Sequence, residues 1–212
     1  MIQSYITIAQ RSCEELNINK SRFIGYAAPC ATEDQAISFL REIRELHKNA
    51  THHCYAYIIG ETANIMRYSD NGEPAGTAGL PILDVMRNKN IVNCCIVVVR
   101  YFGGVLLGTG GLVRAYTQSS QAAVKSAGIS QMEITIDTSC ELPYSGWDRF
   151  RYSCEQLPVR IENVSYGSMI SFHLLIRSSD HEKIMNNLLD VSGRKLNIIS
   201  EKESYLPWNI YL

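Results

Sequence analysis

Residues 93–111 constrain this chain more than any other stretch. Asn93 to Arg100 reads NCCIVVVR, apolar and β-branched almost throughout. A strand without a polar face has to be covered on both sides, so this is a central strand. Directly behind it, Tyr101 to Gly111 (YFGGVLLGTGG) reads as a glycine-rich loop. From Leu112 a long helix is predicted as far as Ala127, with Gly128 as its C-cap. A buried strand that feeds a helix through glycines needs a layered domain built of sheet and helix.

The flanking segments supply the rest of such a domain. Ser4 to Ala9 and Arg22 to Ala28 alternate as strands, separated by a polar stretch rich in Glu and Asn. Thr32-Glu33-Asp34-Gln35 has the form of a capping box and opens a helix with Ala36, Phe39, Leu40, Ile43 and Leu46 on one face. Cys54 to Ile59 is strand-like, and Asn64 to Tyr68 is expected to pair with it. Ser69 to Gly79 (SDNGEPAGTAG) is too rich in Gly, Pro and Asp for regular structure, and a short helix follows from Leu80. Beyond Met132 the order is strand, helix, two strands, helix, strand. Ser179 to Glu182 reads as a second capping box. That βαββαβ order is the ferredoxin-like unit. The expectation is an α+β chain of two domains, 1–130 and 131–212.

At 212 residues and 46% hydrophobic content, the chain can fill two small cores. Residues 1–131 carry 12 Lys and Arg against 10 Asp and Glu, and residues 132–212 carry 8 against 11. Neither half is a polycation, so any RNA contact has to come from a local patch. Seven cysteines without a C-x-x-C, several inside apolar runs, fit reduced and mostly buried thiols. The longest apolar stretch, Ile91 to Val99, is too short for a bilayer span, and the N-terminus lacks the layout of a signal peptide. A cytoplasmic location, no membrane, no metal and no cofactor are the expectations.

Chemistry concentrates between His52 and Arg114. Gly108, Thr109, Gly110 and Gly111 lie where free amides and the positive end of a helix dipole would seat a phosphate or carboxylate. No Gly-Lys-Ser/Thr follows, so this is no Walker loop, and Val113 stands where the dinucleotide fingerprint needs its third glycine. Alternatively, the glycines serve a tight crossing of helix over sheet, helped by Ala115, Ser119, Ala122 and Ala123. Arg100 ends the central strand, where it either clamps an anion or pairs internally with Asp70 or Glu73, and Arg114 sits one turn into the helix. His52, His53 and Cys54 open a strand and invite a metal or a Cys–His nucleophile. Alternation, however, puts His53 on the face opposite His52 and Cys54. His47, His173 and His181 read as ordinary surface. In the second domain Tyr166, Arg177 and Tyr205 could meet RNA from a sheet face, but the usual single-strand-binding signature is absent.

Ser21-Arg22-Phe23-Ile24, His52-His53-Cys54, Ser69 to Pro74 with Gly76 to Gly79, Val98 to Gly104 and Leu107 to Leu112 occur in order and together closely resemble the IMPACT family in its bacterial, YigZ-type form. The resemblance implies a first domain of a fold shared with a small-subunit ribosomal protein and a late domain of elongation factor G. It implies a ferredoxin-like second domain similar to the last domain of that factor. Eukaryotic members regulate translation under stress, with an extra partner-binding domain that has no counterpart in these motifs. No catalytic residue comes with the resemblance. The expectation is therefore a non-catalytic protein that contacts ribosome, RNA phosphate or a protein of the translation machinery. Its groove would be built from Arg22, His52, His53, Asp70, Glu73, Thr77, Arg100, Tyr101, Gly108, Thr109, Gly110, Gly111 and Arg114. The rival is an enzyme on a small phosphorylated substrate, with Asp70 or Glu73 as base and Gly108 to Gly111 holding the phosphate.

Overall fold

The structure, a computed structural model, describes residues 2–211, with side chains as far as Trp208. It divides into two compact units, Met1–Met132 with Pro207–Leu212, and Glu133–Leu206. The elements in chain order begin with strands β1 (Ser4–Ile8), β2 (Ser12–Ile18) and β3 (Ser21–Pro29), followed by helix α1 (Glu33–Leu46). Strands β4 (His52–Ile59) and β5 (Ile65–Ser69), helix α2 (Gly79–Asn88), strand β6 (Cys94–Tyr101) and helix α3 (Gly108–Ala127) complete the run. Then come β7 (Ile129–Leu142), α4 (Tyr144–Glu155), β8 (Val159–Tyr166), β9 (Ile170–Arg177), α5 (His181–Val191) and β10 (Asn197–Tyr211). Among the described residues no helix is long and apolar enough to cross a membrane.

In the first unit β6 is the central strand the sequence demands. It stands in the middle of a sheet ordered β2-β3-β6-β4-β5, with antiparallel neighbours throughout. Alternation sends its side chains to two separate cores. Ile96 and Val98 join Phe23, Ala27, Cys54, Ile82, Met86, Ala115 and Tyr116 under α2 and α3, while Val97 and Val99 join Ile24, Ala28, Phe39, Leu40 and Ile43 under α1. Side chains two apart on a strand share a face and neighbours do not, and this rule decides the layout of the site.

Several local expectations are corrected. The Glu/Asn-rich stretch is strand β2, hairpinned onto β3 through Asn19 and Lys20 at φ 46° and 66°. Two residues in the left-handed region make the type I′ turn that suits strand twist, although the usual Asn-Gly is missing. Helix α3 begins at Gly108 rather than Leu112. Burial of Leu112, Ala115 and Tyr116 carries a first turn that glycine propensity alone would not. The α1 box closes one residue wider than usual. Thr32 Oγ1 accepts from Gln35 N–H at 3.2 Å, and Gln35 Oε1 accepts from Ala31 N–H at 2.7 Å. The box expected at Ser179 is not made, because α5 starts one residue later with Asp180 at its N-cap and no side-chain cap bond.

The second unit places its strands in the order β10-β7-β9-β8. Helices α4 and α5 pack Trp147, Phe150, Ile184 and Leu188 onto Phe172 and Leu174 of β9.

Candidate functional site

Three pairs of neighbours along a strand, Ser21–Arg22, His52–His53 and Arg100–Tyr101, meet at one end of the first sheet. Arg22 lies opposite Tyr101, Phe23 opposite Arg100, and His52 opposite Arg100. Because neighbours on a strand point apart, each pair is divided between the two faces. Ser21, His52 and Arg100 fall on the α3 side; Arg22, His53 and Tyr101 fall on the α1 side. The thirteen-residue groove expected from the sequence is therefore not one surface.

On the α3 side Arg100 is 4% exposed, and its Nη1 donates to Glu73 Oε1 at 2.7 Å. The Tyr116 hydroxyl donates to the same oxygen at 2.7 Å. Arg100 Nη2 reaches Ser21 Oγ at 3.4 Å, and the guanidinium lies over the rings of Phe23 and Phe102 at 5.3 and 5.5 Å. Arg100 is therefore no open anion clamp. Of the two roles the sequence allows, the internal ion pair with Glu73 is the one formed. Glu73, buried and engaged by two donors, is not placed as a free base. The Tyr116 hydroxyl is held far above its ordinary pKa by burial first, then by Cys54 and Glu73 beside it.

Cys54 packs into the same cluster, its Sγ 2.9 Å from the Asp70 carbonyl and 3.4 Å from the Tyr116 hydroxyl. Burial above all pushes its thiol up to about 12. A thiol so far from ionisation is a packing group, which corrects the Cys–His nucleophile suggested by the His52–Cys54 spacing.

Asp70 organises the loop rather than facing a ligand. Its Oδ1 accepts from Ala78 and Gly79 N–H at 3.0 and 2.8 Å, and its Oδ2 from Gly76 N–H at 2.9 Å. A carboxylate eight residues upstream thus satisfies the free amides at the start of α2, a cap that no local box announces. Thr77 is buried and donates to the Pro74 carbonyl at 2.7 Å. Neither has a free group for a ligand. Asn71 at φ 45° and Gly72 at φ 88° form the tight turn their pairing predicts. That turn presents the Asn71 carbonyl to His52 Nδ1 at 2.8 Å. A carbonyl can only accept, so the Nδ1 carries the proton and Nε2 is the nitrogen left over. That Nε2 lies 3.8 Å from Glu73 Oε1.

Of these residues His52, Glu73 and Arg100 line a cavity of about 400 Å³, together with Pro74, Phe102, Leu106, Leu107, Leu112, Gly108 and Thr109. Leu106 is 85% exposed. The adjoining start of α3 has no side-chain cap bond. Glycine serves a close crossing elsewhere: a Cβ on Gly25 would sit 2.5 Å from Ser119 O, and one on Gly103 1.9 Å from Lys20 O. A Cβ on Gly108 or Gly110 would meet nothing. The small residues of α3 do serve the crossing, but these two glycines do not. Gly111 follows in the same turn, and Arg114 is exposed on α3 without an ion pair among the described residues.

On the α1 side sequence reading missed His47, which is no ordinary surface residue. Its Nε2 and Nδ1 lie 2.6 and 2.9 Å from the hydroxyls of Tyr26 and Tyr101, and His53 Nε2 reaches its carbonyl at 3.0 Å. Burial lowers the pKa of both histidines. Arg22 lies over the Tyr101 ring at 5.0 Å and pairs with Glu15 at 3.1 Å. In the second unit His173 and His181 also have partners, Asp137 at 2.7 Å and Glu201 at 3.3 Å, and Arg177 pairs with Glu133 at 2.9 Å.

A model of the Impact N-terminal domain matches residues 19–124, which include every residue of both clusters except Glu15. YvyE of Bacillus subtilis, an IMPACT family member, is 31% identical over 206 residues, 97% of this chain and 95% of its own length. The chain belongs to the IMPACT family. An IMPACT family member of Haemophilus influenzae is 36% identical over 191 residues, covering 87% of this chain and 90% of that one. The crystal structure of a hypothetical protein superposes with a TM-score of 0.62 at 29% identity, covering 94% of this IMPACT-family chain and 98% of the other.

Proposed function

We propose that this IMPACT-family chain is a non-catalytic binding protein of the translation apparatus, and that it takes an anionic group of a partner at the start of α3. The observation that carries this reading is the junction of an apolar cavity with an uncapped, glycine-lined helix start. Free amides and the helix dipole favour an anion there, and apolar walls favour a side chain beside it. The carboxylates nearby are already committed, Asp70 to amides and Glu73 to Arg100 and Tyr116. Of the two anion sources a protein carboxylate fits better than RNA phosphate, since Arg100 is neutralised by Glu73 and the walls are apolar. Kinship with the family supports translation as the setting. The strand order β10-β7-β9-β8 with α4 and α5 packed on β9 supports the ferredoxin-like, elongation-factor-like reading of the second unit. The free cysteines, six of them buried, suit a reducing cytoplasm.

Co-sedimentation with ribosomes at low and high salt tests the reading. Leu106→Glu, on an exposed side chain that carries little of the fold, should reduce the pelleted fraction at least about fivefold, as expected of an apolar anchor. Protein that stays in the supernatant at both salt concentrations defeats the proposal.

One observation favours an enzyme instead. His52 has its proton fixed on Nδ1 and a free Nε2 beside the cavity, as a general base requires. A thermal-shift series with sugar phosphates and nucleotides decides, since a saturable rise would follow from binding to the folded state alone.

A further inference from the structure

We infer that the groove between α2 and α3 seats an amphipathic helix of a partner protein, one whose apolar stripe is flanked by carboxylates. This surface lies on a different face of α3 from the cavity of the proposed function and does not depend on that reading.

The buried residues of the two helices share one core on the first sheet. Between the helices runs a groove of about 360 Å³. Its α2 wall is the row Leu80, Asp84 and Asn88, and its α3 wall the row Val113, Thr117 and Gln121. Residues four apart share a helix face, so each row runs on for about 12 Å. Leu80 and Val113, one on each wall, are exposed apolar side chains. Gly110, three residues before Val113, continues the α3 row. A Cβ there would meet nothing, so the groove stays open at that end.

The walls decide what form the occupant takes. Both are helices, whose interior amides and carbonyls are bonded to one another. An extended peptide laid between them would lose water from its own main chain and find no partner for it. A helix brings its main chain already paired, and the side-chain ridges of a third helix fit between rows of this spacing.

Charge decides its chemistry. Helix α3 carries Arg114 and Lys125 and no acid, and Asp84 is the one acid of α2. Asp84 is paired with Arg87 at 3.3 Å. Lys89, which lines the groove, and Arg114, one turn past Gly110, are exposed and have no ion pair among the described residues. The whole chain has a net charge of −1, so this cationic excess is local. A second copy of the chain would set cation against cation across a two-fold axis. Nucleic acid would press its phosphates onto Leu80, Val85 and Val113, walls that cannot solvate them. Carboxylates beside an apolar stripe answer both the cations and the walls.

The test uses fluorescein-labelled, alanine-based peptides of about eighteen residues, long enough to hold a helix, read by fluorescence anisotropy on the full chain. The first carries leucines four apart with flanking glutamates. The second has lysine for each glutamate, and the third has serine for each leucine. The first should bind at least about tenfold tighter than either control. Lys89→Glu combined with Arg114→Glu should reverse the charge preference, so that the lysine peptide binds at least about tenfold tighter than the glutamate one. Mere damage to the fold does not exchange one preference for its opposite. Val113→Asp, on an exposed side chain of the α3 row, should weaken the first peptide at least about tenfold and covers the case in which the double variant fails to fold. Equal binding of the glutamate and lysine peptides overturns the inference, as does a preference that the double variant leaves unchanged or undiminished binding to Val113→Asp. Tighter binding of a labelled single-stranded RNA overturns it too, and so does a dimer in light scattering that Val113→Asp dissociates.

Discussion

The two faces of the first sheet carry two polar clusters that both draw on residues 21–22, 52–53 and 100–101 and add others of their own. Behind α1, Arg22, His47, His53 and Tyr101 satisfy one another through a chain of hydroxyls, ring nitrogens and a stacked guanidinium, half-exposed. Behind α3, Glu73, Arg100 and Tyr116 are tied by short bonds and deeply buried, and Glu73 and Arg100 line an open cavity with the half-buried His52. The first cluster has its partners within the chain, while the second keeps an unpaired donor, a free ring nitrogen and an uncapped helix start. Burial is costly for polar groups, so those left incomplete beside a cavity point to a partner more strongly than exposed ones do.

The largest effect expected from breaking this contrast is loss of Glu73. Removing one member of a buried ion pair leaves the other uncompensated, so Glu73→Ala should cost about 3–5 kcal/mol in urea unfolding followed by fluorescence. The double variant Glu73→Leu with Arg100→Met should recover much of that loss, since apolar replacement of a buried pair is often neutral. A single variant that loses less than about 1 kcal/mol, the range of exposed pairs, would mean the pair is not sealed. Next comes Tyr116→Phe. It removes one donor to the Glu73 carboxylate together with the weak contact from the Cys54 thiol, and about 1.5–3 kcal/mol is the usual worth of a hydrogen bond to a charged group. A neutral result would show Arg100 alone holding the carboxylate.

Much of the fold was legible because it follows from local pattern. The β-branched run to Arg100 had to be central, and alternation alone separates His53 from His52. What could not be read was register. That Arg22 lies opposite Tyr101, and His52 opposite Arg100, depends on pairings between strands dozens of residues apart. Without them, residues from both faces were gathered into one groove. Asp70 misled for a related reason: its cap reaches eight and nine residues ahead to Ala78 and Gly79, beyond any local capping signature. His47 follows the end of α1, and only the fold brings Tyr26 and Tyr101 to its ring. Residue type alone does not separate Gly110 from Gly25 and Gly103, which packing requires.

Acid sharpens the contrast from the α1 side. Burial lowers the pKa of His47 and His53, so the folded state prefers their neutral rings. As pH falls below the ordinary histidine value of 6.5, the unfolded chain binds protons first. The stability these rings contribute is present above that value and is lost as pH drops toward their lowered ones. The urea midpoint should therefore fall between about pH 7.5 and about pH 5.5, and His47→Gln should flatten that fall. An unchanged slope in the variant would mean that other groups carry it.

Arg22 gives the smallest expected effect and the sharpest division between the faces. Its ion pair with Glu15 and its place over Tyr101 are both exposed to solvent. Exposed pairs and cation–π contacts of this kind contribute about 0.2–1 kcal/mol, so Arg22→Ala should shift the urea midpoint only slightly. Arg22 lies on the far side of the sheet from the cavity, and ribosome sedimentation should remain as in the unsubstituted chain while Leu106→Glu loses it. If Arg22→Ala releases the ribosome and Leu106→Glu does not, the working face is the one behind α1. The self-satisfied cluster would then be a surface that nucleic acid reads through an arginine and a tyrosine, and the cavity behind it only a gap in packing.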